Sequence, residues 1–166
     1  MNTVGRIERV VKRKGRVLTV PEQATANDAA KVMRDQQVGA LVVVNEKNEL
    51  VGILTERDIV VQVIASAKNP AATPVSECMT RHVVSCTLNT GISKARSLMA
   101  EHGIRHLPIV EDGMAVGMIS SRDILAHELE ASKAVIRHQG FVLQELERTY
   151  PGITRLKVST SGRIVI

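Results

Sequence analysis

Apolar residues in this chain alternate between short continuous runs and stretches of helical spacing, and the whole series occurs twice. Residues 38–44, Val-Gly-Ala-Leu-Val-Val-Val, form an unbroken β-branched run that predicts a strand buried on both faces. Residues 50–54 follow across Asn45-Glu46-Lys47-Asn48 as its hairpin partner. Residues 106–110 and 115–119, joined at Asp112-Gly113, repeat that hairpin. Ahead of the first hairpin, a turn from Pro21 leads into a helix with Asn27 as cap and Ala29, Ala30, Val32 and Met33 on its apolar side. Residues 93–101 give the matching helix with a plain start, since Ser93 and Arg96 make no capping box. Short strands are expected at 17–20 and 83–86, and helices from 56 to about 66 and from 121 to 148. In the latter, Leu125, Leu129, Val135, Ile136, Leu143 and Leu146 recur at helical spacing, and Gly140 leaves open one helix or two.

The strongest sign of duplication is Gly52-Ile53-Leu54-Thr55-Glu56-Arg57-Asp58, which returns as Gly117-Met118-Ile119-Ser120-Ser121-Arg122-Asp123. Each copy reads as an apolar strand ending in a hydroxyl residue, followed at once by a helix whose first turn carries Arg and Asp. Upstream, Val17-Leu18-Thr19 falls on Val83-Val84-Ser85, Ala29 on Ala95, Met33 on Met99, Gly39 on Arg105 and Leu41 on Leu107. The offset changes only in the hairpin turn, where an indel is easily accommodated. The organisation expected is a basic arm at 1–16, repeat one at 17–66, a linker at 67–76, repeat two at 77–135, and a C-terminal helix and tail at 136–166. Each repeat is short enough to be marginal alone, so the two should share a core. Val4, Ile7, Val10 and Val11 predict a short helix ended by Gly15, lying against repeat one, with Val75, Cys78 and Met79 as its counterpart in repeat two. The tail suggests a turn at Pro151-Gly152 and a hairpin about Ser161-Gly162.

With 44% hydrophobic residues in 166 and no long apolar run, the composition is that of a folded chain without a membrane span, and no secretory signal is legible. A cytoplasmic location is expected. The net charge of +5 is concentrated: Arg6, Arg9, Lys12, Arg13, Lys14 and Arg16 stand against Glu8 alone, leaving the rest balanced. A nucleic-acid surface should be basic over a face or stripe, so such binding remains only as an alternative through the arm. One Tyr, one Phe and no Trp offer no stacking platforms, so a flat ligand must lie between aliphatic groups. Cys78 and Cys86 read as reduced thiols, with a local disulfide as the alternative. His102 and His106 lack a third ligand at metal spacing, and Met33, Met99, Met114 and Met118 read as fillers. No nucleophile and base pair up, and no GxGxxG or Walker loop is present, so the chain is not expected to be an enzyme.

The two signatures, together with Gly39-Ala40-Leu41 and Arg105-His106-Leu107-Pro108 at the central strands, resemble a tandem pair of CBS domains, the Bateman module, over about residues 2–135. The resemblance implies an α/β (α+β) fold of two βαββα repeats packed through their sheets with pseudo-twofold symmetry. It implies two clefts for adenosine compounds, with AMP, ADP or ATP favoured over S-adenosylmethionine or NADH, no catalytic cofactor or metal, a homodimer, and a regulated protein partner. By the family pattern, Asp58 and Asp123 hold ribose hydroxyls, Thr55 and Ser120 lie beside first-turn amides that bind phosphate, and Arg57 and Arg122 reach the phosphates. Asp58 is expected to be joined by Val83, Ile104 and Arg105 with Gly39 and Ala40 nearby. Asp123 is expected to be joined by Val17, Val38, Gly39 and Arg105 or His106, and Lys12 lies just upstream of a cleft-lining strand. Gly39-Ala40 in place of a bulky pair, and Leu41-Val42 in place of Leu-Pro, open one cleft wall and predict unequal occupancy. Simpler roles stand beside these: the Asp, Thr and Ser residues as helix caps, and the arginines in surface ion pairs. Ile59, Val60, Val63 and Ile64, with Ile124, Leu125 and Leu129, are expected to leave apolar helix faces for a dimer. The function expected is an adenine-nucleotide-sensing regulatory module, and the alternative is a structural or interaction protein with empty clefts.

Overall fold

The computed structural model describes residues 7–11, 17–149, 157–158 and 164–165. The chain divides into two compact units, Met1–Ile124 and Leu125–Ile166. In the first, α1 (Ile7–Val11) precedes β1 (Thr19–Pro21), α2 (Ala26–Gln36), β2 (Ala40–Val44), β3 (Leu50–Thr55) and α3 (Glu56–Asp58), which continues as a π-helix at Ile59–Ile64. A 3₁₀ turn at Val75–Glu77 leads to the second copy: α4 (Ile92–His102), β4 (His106–Glu111), β5 (Met114–Ser120) and the start of α5 (Ser121–Thr149). The mixed α/β architecture expected from the repeat is therefore present.

The two copies match in detail. α2 and α4 span equivalent residues, and the pairs Ala29/Ala95, Met33/Met99, Leu41/Leu107 and Leu54/Ile119 are all buried. β1 runs parallel to β2 and β2 antiparallel to β3; β4 and β5 are likewise antiparallel. The tight turn between β4 and β5 holds Asp112 at φ 49° and Gly113 at φ 78°, the positive-φ pair that two-residue hairpin loops require.

Several expectations are corrected. The cap of α2 is Thr25, not Asn27: its hydroxyl accepts from the Asp28 amide at 3.1 Å and donates to Asp28 Oδ2 at 2.7 Å. This satisfies an amide the helix leaves unpaired at its first turn. The strand expected at 83–86 reduces to one parallel bridge, Cys86 with Ile109. Its counterpart in repeat one is β1, where the Val42 amide donates to the Leu18 carbonyl at 3.1 Å. Pro108 occupies the position equivalent to Val42 and has no N–H, so that rung cannot form. The expected helix after residue 56 is α-helical for only three residues before its bonds lengthen to a five-residue span, as in Ala65 N–H to Val60 O at 2.9 Å and Lys68 N–H to Val63 O at 2.9 Å.

The lead-in segments exchange places. Ile7 is fully buried with Cys86, Ile92, Leu107, Ile109 and Ile119, and Val10 packs against that group, so α1 completes the core of repeat two. Val75 and Cys78 complete the core of repeat one, with Val20, Leu41, Val43 and Leu54. The expectation placed each segment on the other repeat and a single shared core between them. Backbone bonds explain the outcome: Ile7 N–H reaches Thr90 O at 3.2 Å, and Val75 N–H reaches the equivalent Ala24 O at 2.7 Å. Each lead-in is thereby anchored to the turn before the opposite copy's first helix. Thr80 then pairs with Ile53 along β3, with bonds of 3.0 and 2.9 Å, and Met79 lies over Gly52.

In the second unit α5 passes through Gly140 as one helix, and β6 (Lys157–Val158) pairs antiparallel with β7 (Ile164–Val165) on either side of the turn expected about Ser161-Gly162. Val4, Gly15, Lys12 and the Pro151-Gly152 turn lie outside the described residues. The apolar faces assigned to a dimer are only partly open. Val63 and Ile124 are buried in their own repeats, which need them as core, whereas Val60, Ile64, Leu125 and Leu129 are exposed.

Candidate functional site

Both signatures fold into the same hydrogen-bonded cap. Thr55 is extended (φ −116°, ψ 162°) as β3 ends; its hydroxyl accepts from the Asp58 amide at 3.2 Å, and Asp58 Oδ2 accepts from the Thr55 amide at 2.8 Å and hydroxyl at 2.6 Å. In the second copy Asp123 Oδ2 accepts from the Ser120 amide at 2.7 Å and hydroxyl at 2.5 Å, and the Ser120 oxygen lies 3.4 Å from the Asp123 amide. Thr55 and Ser120 therefore have their hydroxyl protons committed to the neighbouring carboxylate. The capping role of all four residues is realised, whatever else they do. The next residue is fixed the same way in each copy: Glu56 N–H donates to Gly39 O at 3.1 Å and Ser121 N–H to Arg105 O at 3.0 Å.

The copies differ in what surrounds the cap. A cavity of about 920 Å³ opens beside Asp123, lined from repeat one by Val17, Leu18, Ala30, Met33, Arg34, Gln37, Val38, Gly39, Ala40, Glu56, Ile59 and Val60. From repeat two it takes Arg105, His106, Met118, Ser120, Ser121, Arg122 and Asp123. Of the residues singled out in the sequence, Val17, Val38, Gly39, Ala40, Arg105, His106, Ser120, Arg122 and Asp123 thus border one space. Thr55, Arg57, Asp58, Val83 and Ile104 do not line it. Gly39, Ala40 and Arg105, assigned near Asp58 as well, stand at the Asp123 cavity, and Ile104 packs against the core of repeat two.

Sequence reasoning missed Arg34, Gln37, Glu56 and the aliphatic wall of Leu18, Ile59 and Val60. Glu56 stands inside the signature and Gln37 one helical turn beyond Met33, but their place at the cavity follows only from the packing of the two repeats. A β-carbon on Gly39 would come within 3.1 Å of Glu56 Oε2, so the bare backbone there leaves room for the glutamate at the cavity wall. Arg34 Nε lies 2.7 Å from Asp35 Oδ1; that hydrogen bond raises the guanidinium pKa and lowers that of the carboxyl. The wall is thus apolar and its ionic groups carry both signs.

Among the described residues no three His, Cys, Asp or Glu side chains gather to hold a metal. Cys78 and Cys86 are free and buried, so the disulfide alternative is not realised. Burial pushes both thiols up, Cys86 to about 11, which keeps them protonated and poorly nucleophilic.

Comparison with known proteins identifies the family of the two repeats. The CBS domain family model matches residues 7–64 and again residues 75–130, and the chain belongs to that family as a tandem pair. It is 39% identical over 113 residues to the uncharacterized protein MK0525 of Methanopyrus kandleri, covering 68% of this chain and 58% of that protein. The chain therefore spans less than two thirds of that relative. It is 38% identical over 118 residues to the CBS domain-containing protein YhcV of Bacillus subtilis, covering 71% of this chain and 83% of the relative. Among solved structures, the CBS-domain containing protein ATU1752 from Agrobacterium tumefaciens superposes with a TM-score of 0.70 at 30% identity, over 77% of this chain and 98% of that one. Tandem CBS proteins are generally regulatory and typically non-catalytic. No helix among the described residues is long and apolar enough to cross a membrane.

Proposed function

We propose that this chain is a regulatory module that binds an adenine nucleotide of the AMP, ADP or ATP type in the Asp123 cavity and conveys its presence to a partner protein. The observation that carries this reading is the joint lining of one cavity by both repeats, with apolar and ionic side chains together. Val17, Val38 and Met33 offer aliphatic surfaces for a base in a chain that lacks aromatic platforms. Asp123 holds the cap through Oδ2, and a ribose diol is assigned to the acceptor sites of its second carboxylate oxygen. The first turn of α5, a 29-residue helix, contributes a favourable dipole to phosphate, although its Ser121 and Asp123 amides are held by Arg105 O and Ser120 Oγ. Arg122 and Arg105 add donors that suit phosphate oxygens. The cavity volume falls within the range of about 300–1,000 Å³ usual for small-molecule sites.

The Asp58 side is the weaker candidate, since α3 lasts only three residues before the π-helix. Unequal occupancy follows, with the Asp123 cleft filled first. Lys12 and its basic neighbours favour di- and triphosphates over adenosine or S-adenosylmethionine, and a homodimer would cover Val60, Val61 and Ile64. Calorimetric titration with ATP, ADP, AMP and adenosine at fixed ionic strength tests the reading. Saturable binding whose affinity rises with phosphate number supports it; no binding of any of the four overturns it in favour of an interaction protein with empty clefts.

A further inference from the structure

The second repeat's family match ends at residue 130, yet α5 continues to Thr149, and from Leu125 onward its exposed apolar residues join neither core cluster among the described residues. Leu125 and Ile136 are each 66% exposed and Leu143 is 55% exposed, with Leu129 and Leu146 also open. Their order along the helix is regular. Leu125, Leu129, Ile136, Leu143 and Leu146 fall at alternating steps of four and three once polar Ser132 and Gln139 fill the two intervening places. That is a heptad seam, and it drifts by about 20° per heptad on a straight helix, a drift that left-handed winding around a partner removes.

We propose that this part of α5 pairs in parallel with the same helix of a second copy of the chain, forming a short coiled coil. The occupant is argued from the seam itself. A heptad repeat is complementary to another heptad repeat, and a twofold pair buries the same residues from both chains. Glu128 and Lys133 flank the seam at the two positions that face each other between parallel strands, with opposite charge. Val135 and Val142 widen the apolar strip on one side. Glu130, Arg137, His138, Glu145 and Arg148 occupy the outward positions, as the solvated face of such a pair requires. From Leu125 to Leu146 the seam is about 32 Å long, enough for three heptads. Phe141 lies on the outward side and is left uncovered by this pairing. Polar Ser132 and Gln139, two of the seven seam positions, favour one register over others at some cost in stability.

This pairing is independent of nucleotide binding and is tested separately, on the full-length chain. Ser132→Cys places a thiol at a seam position where parallel strands approach; Gln144→Cys places one outside it. Mild oxidation followed by non-reducing electrophoresis should give a disulfide-linked dimer for Ser132→Cys and none for Gln144→Cys or the parent, whose own cysteines are buried. Adding Ile136→Asp and Leu143→Asp to Ser132→Cys should abolish most of that dimer while leaving the circular dichroism of the repeats unchanged, because both residues are exposed. A monomeric Ser132→Cys, which an antiparallel pair or an intramolecular cover would give, overturns the proposal. So does cross-linking of Gln144→Cys to the same extent, or a dimer band indifferent to the two aspartates.

Discussion

Repeat one and repeat two carry the same capped signature, but only the second has its aspartate on the wall of the cavity described here. The Thr55–Asp58 and Ser120–Asp123 caps agree bond for bond. What differs is the neighbourhood. Beside Asp123, Arg105 and Arg122 meet an aliphatic wall donated by the other repeat and a glutamate accommodated by Gly39. Asp58 heads a helix that loses α-geometry after three residues. The cap is therefore a structural device in both copies, and the candidate site comes from the surfaces around it. A second contrast points the same way: Val42 gives repeat one a three-residue strand, while Pro108 holds repeat two to a single bridge.

The largest effects should come where the copies are alike. Leu41→Ala and Leu107→Ala each remove a fully buried side chain from equivalent cores, and each should cost about 2–5 kcal/mol in urea unfolding. Losses that differ by most of that range would show that one repeat carries the fold. Gly52→Ala should cost about 1–3 kcal/mol, because its β-carbon would lie 2.4 Å from Met79 Sδ and 3.1 Å from Thr80 O. Wild-type stability would mean that the Met79–Thr80 segment does not hold that edge of β3.

The caps of α2 and α4 should respond in opposite directions. Thr25→Ala should lose about 1 kcal/mol, and Gly91→Ser should gain a few tenths, since α4 lacks a side-chain cap and a β-carbon at Gly91 meets nothing within 4 Å. A loss at Gly91→Ser would contradict the open cap. The smallest effect is a pH dependence at Cys86. Its thiol is raised by burial from 9.0 to about 11, so between these values the unfolded chain releases a proton that the folded chain keeps. Stability should fall as pH rises through that window, and Cys86→Ala should reduce the slope there. An unchanged slope would contradict the shift.

Much of this was legible in the chain. Continuous β-branched runs, the Asp112-Gly113 turn and the doubled signature gave the repeats, because burial and positive-φ geometry leave direct marks on residue choice. The exchanged lead-ins were not legible. Ile7 and Val75 are apolar in either placement, and only backbone bonds to Thr90 and Ala24 decide between them. The α2 cap was misplaced by two residues because Thr25 and Asn27 are both good caps, and the tie is broken by Asp28. The π-helix leaves no simple pattern in Ile-Val-Val-Gln-Val-Ile, and Gly140 permits continuation of α5 as readily as a break. For the candidate site, Asp123, Arg122, Arg105 and Gly39 could be named from the motif, whereas Glu56 and Arg34 emerged only when the two repeats were brought together.

The most direct measurement compares the two aspartates as ATP ligands by calorimetry, with Asp58→Ala and Asp123→Ala made singly in the full chain. Both should lose a similar amount of cap stability, about 0.5–2 kcal/mol. Only Asp123→Ala should weaken the tighter ATP site, by about 1–3 kcal/mol or roughly 5- to 150-fold, while Asp58→Ala leaves that site within error of the parent. Equal weakening by both substitutions, or none by either, would contradict the claim that the Asp123 cavity is the principal nucleotide site.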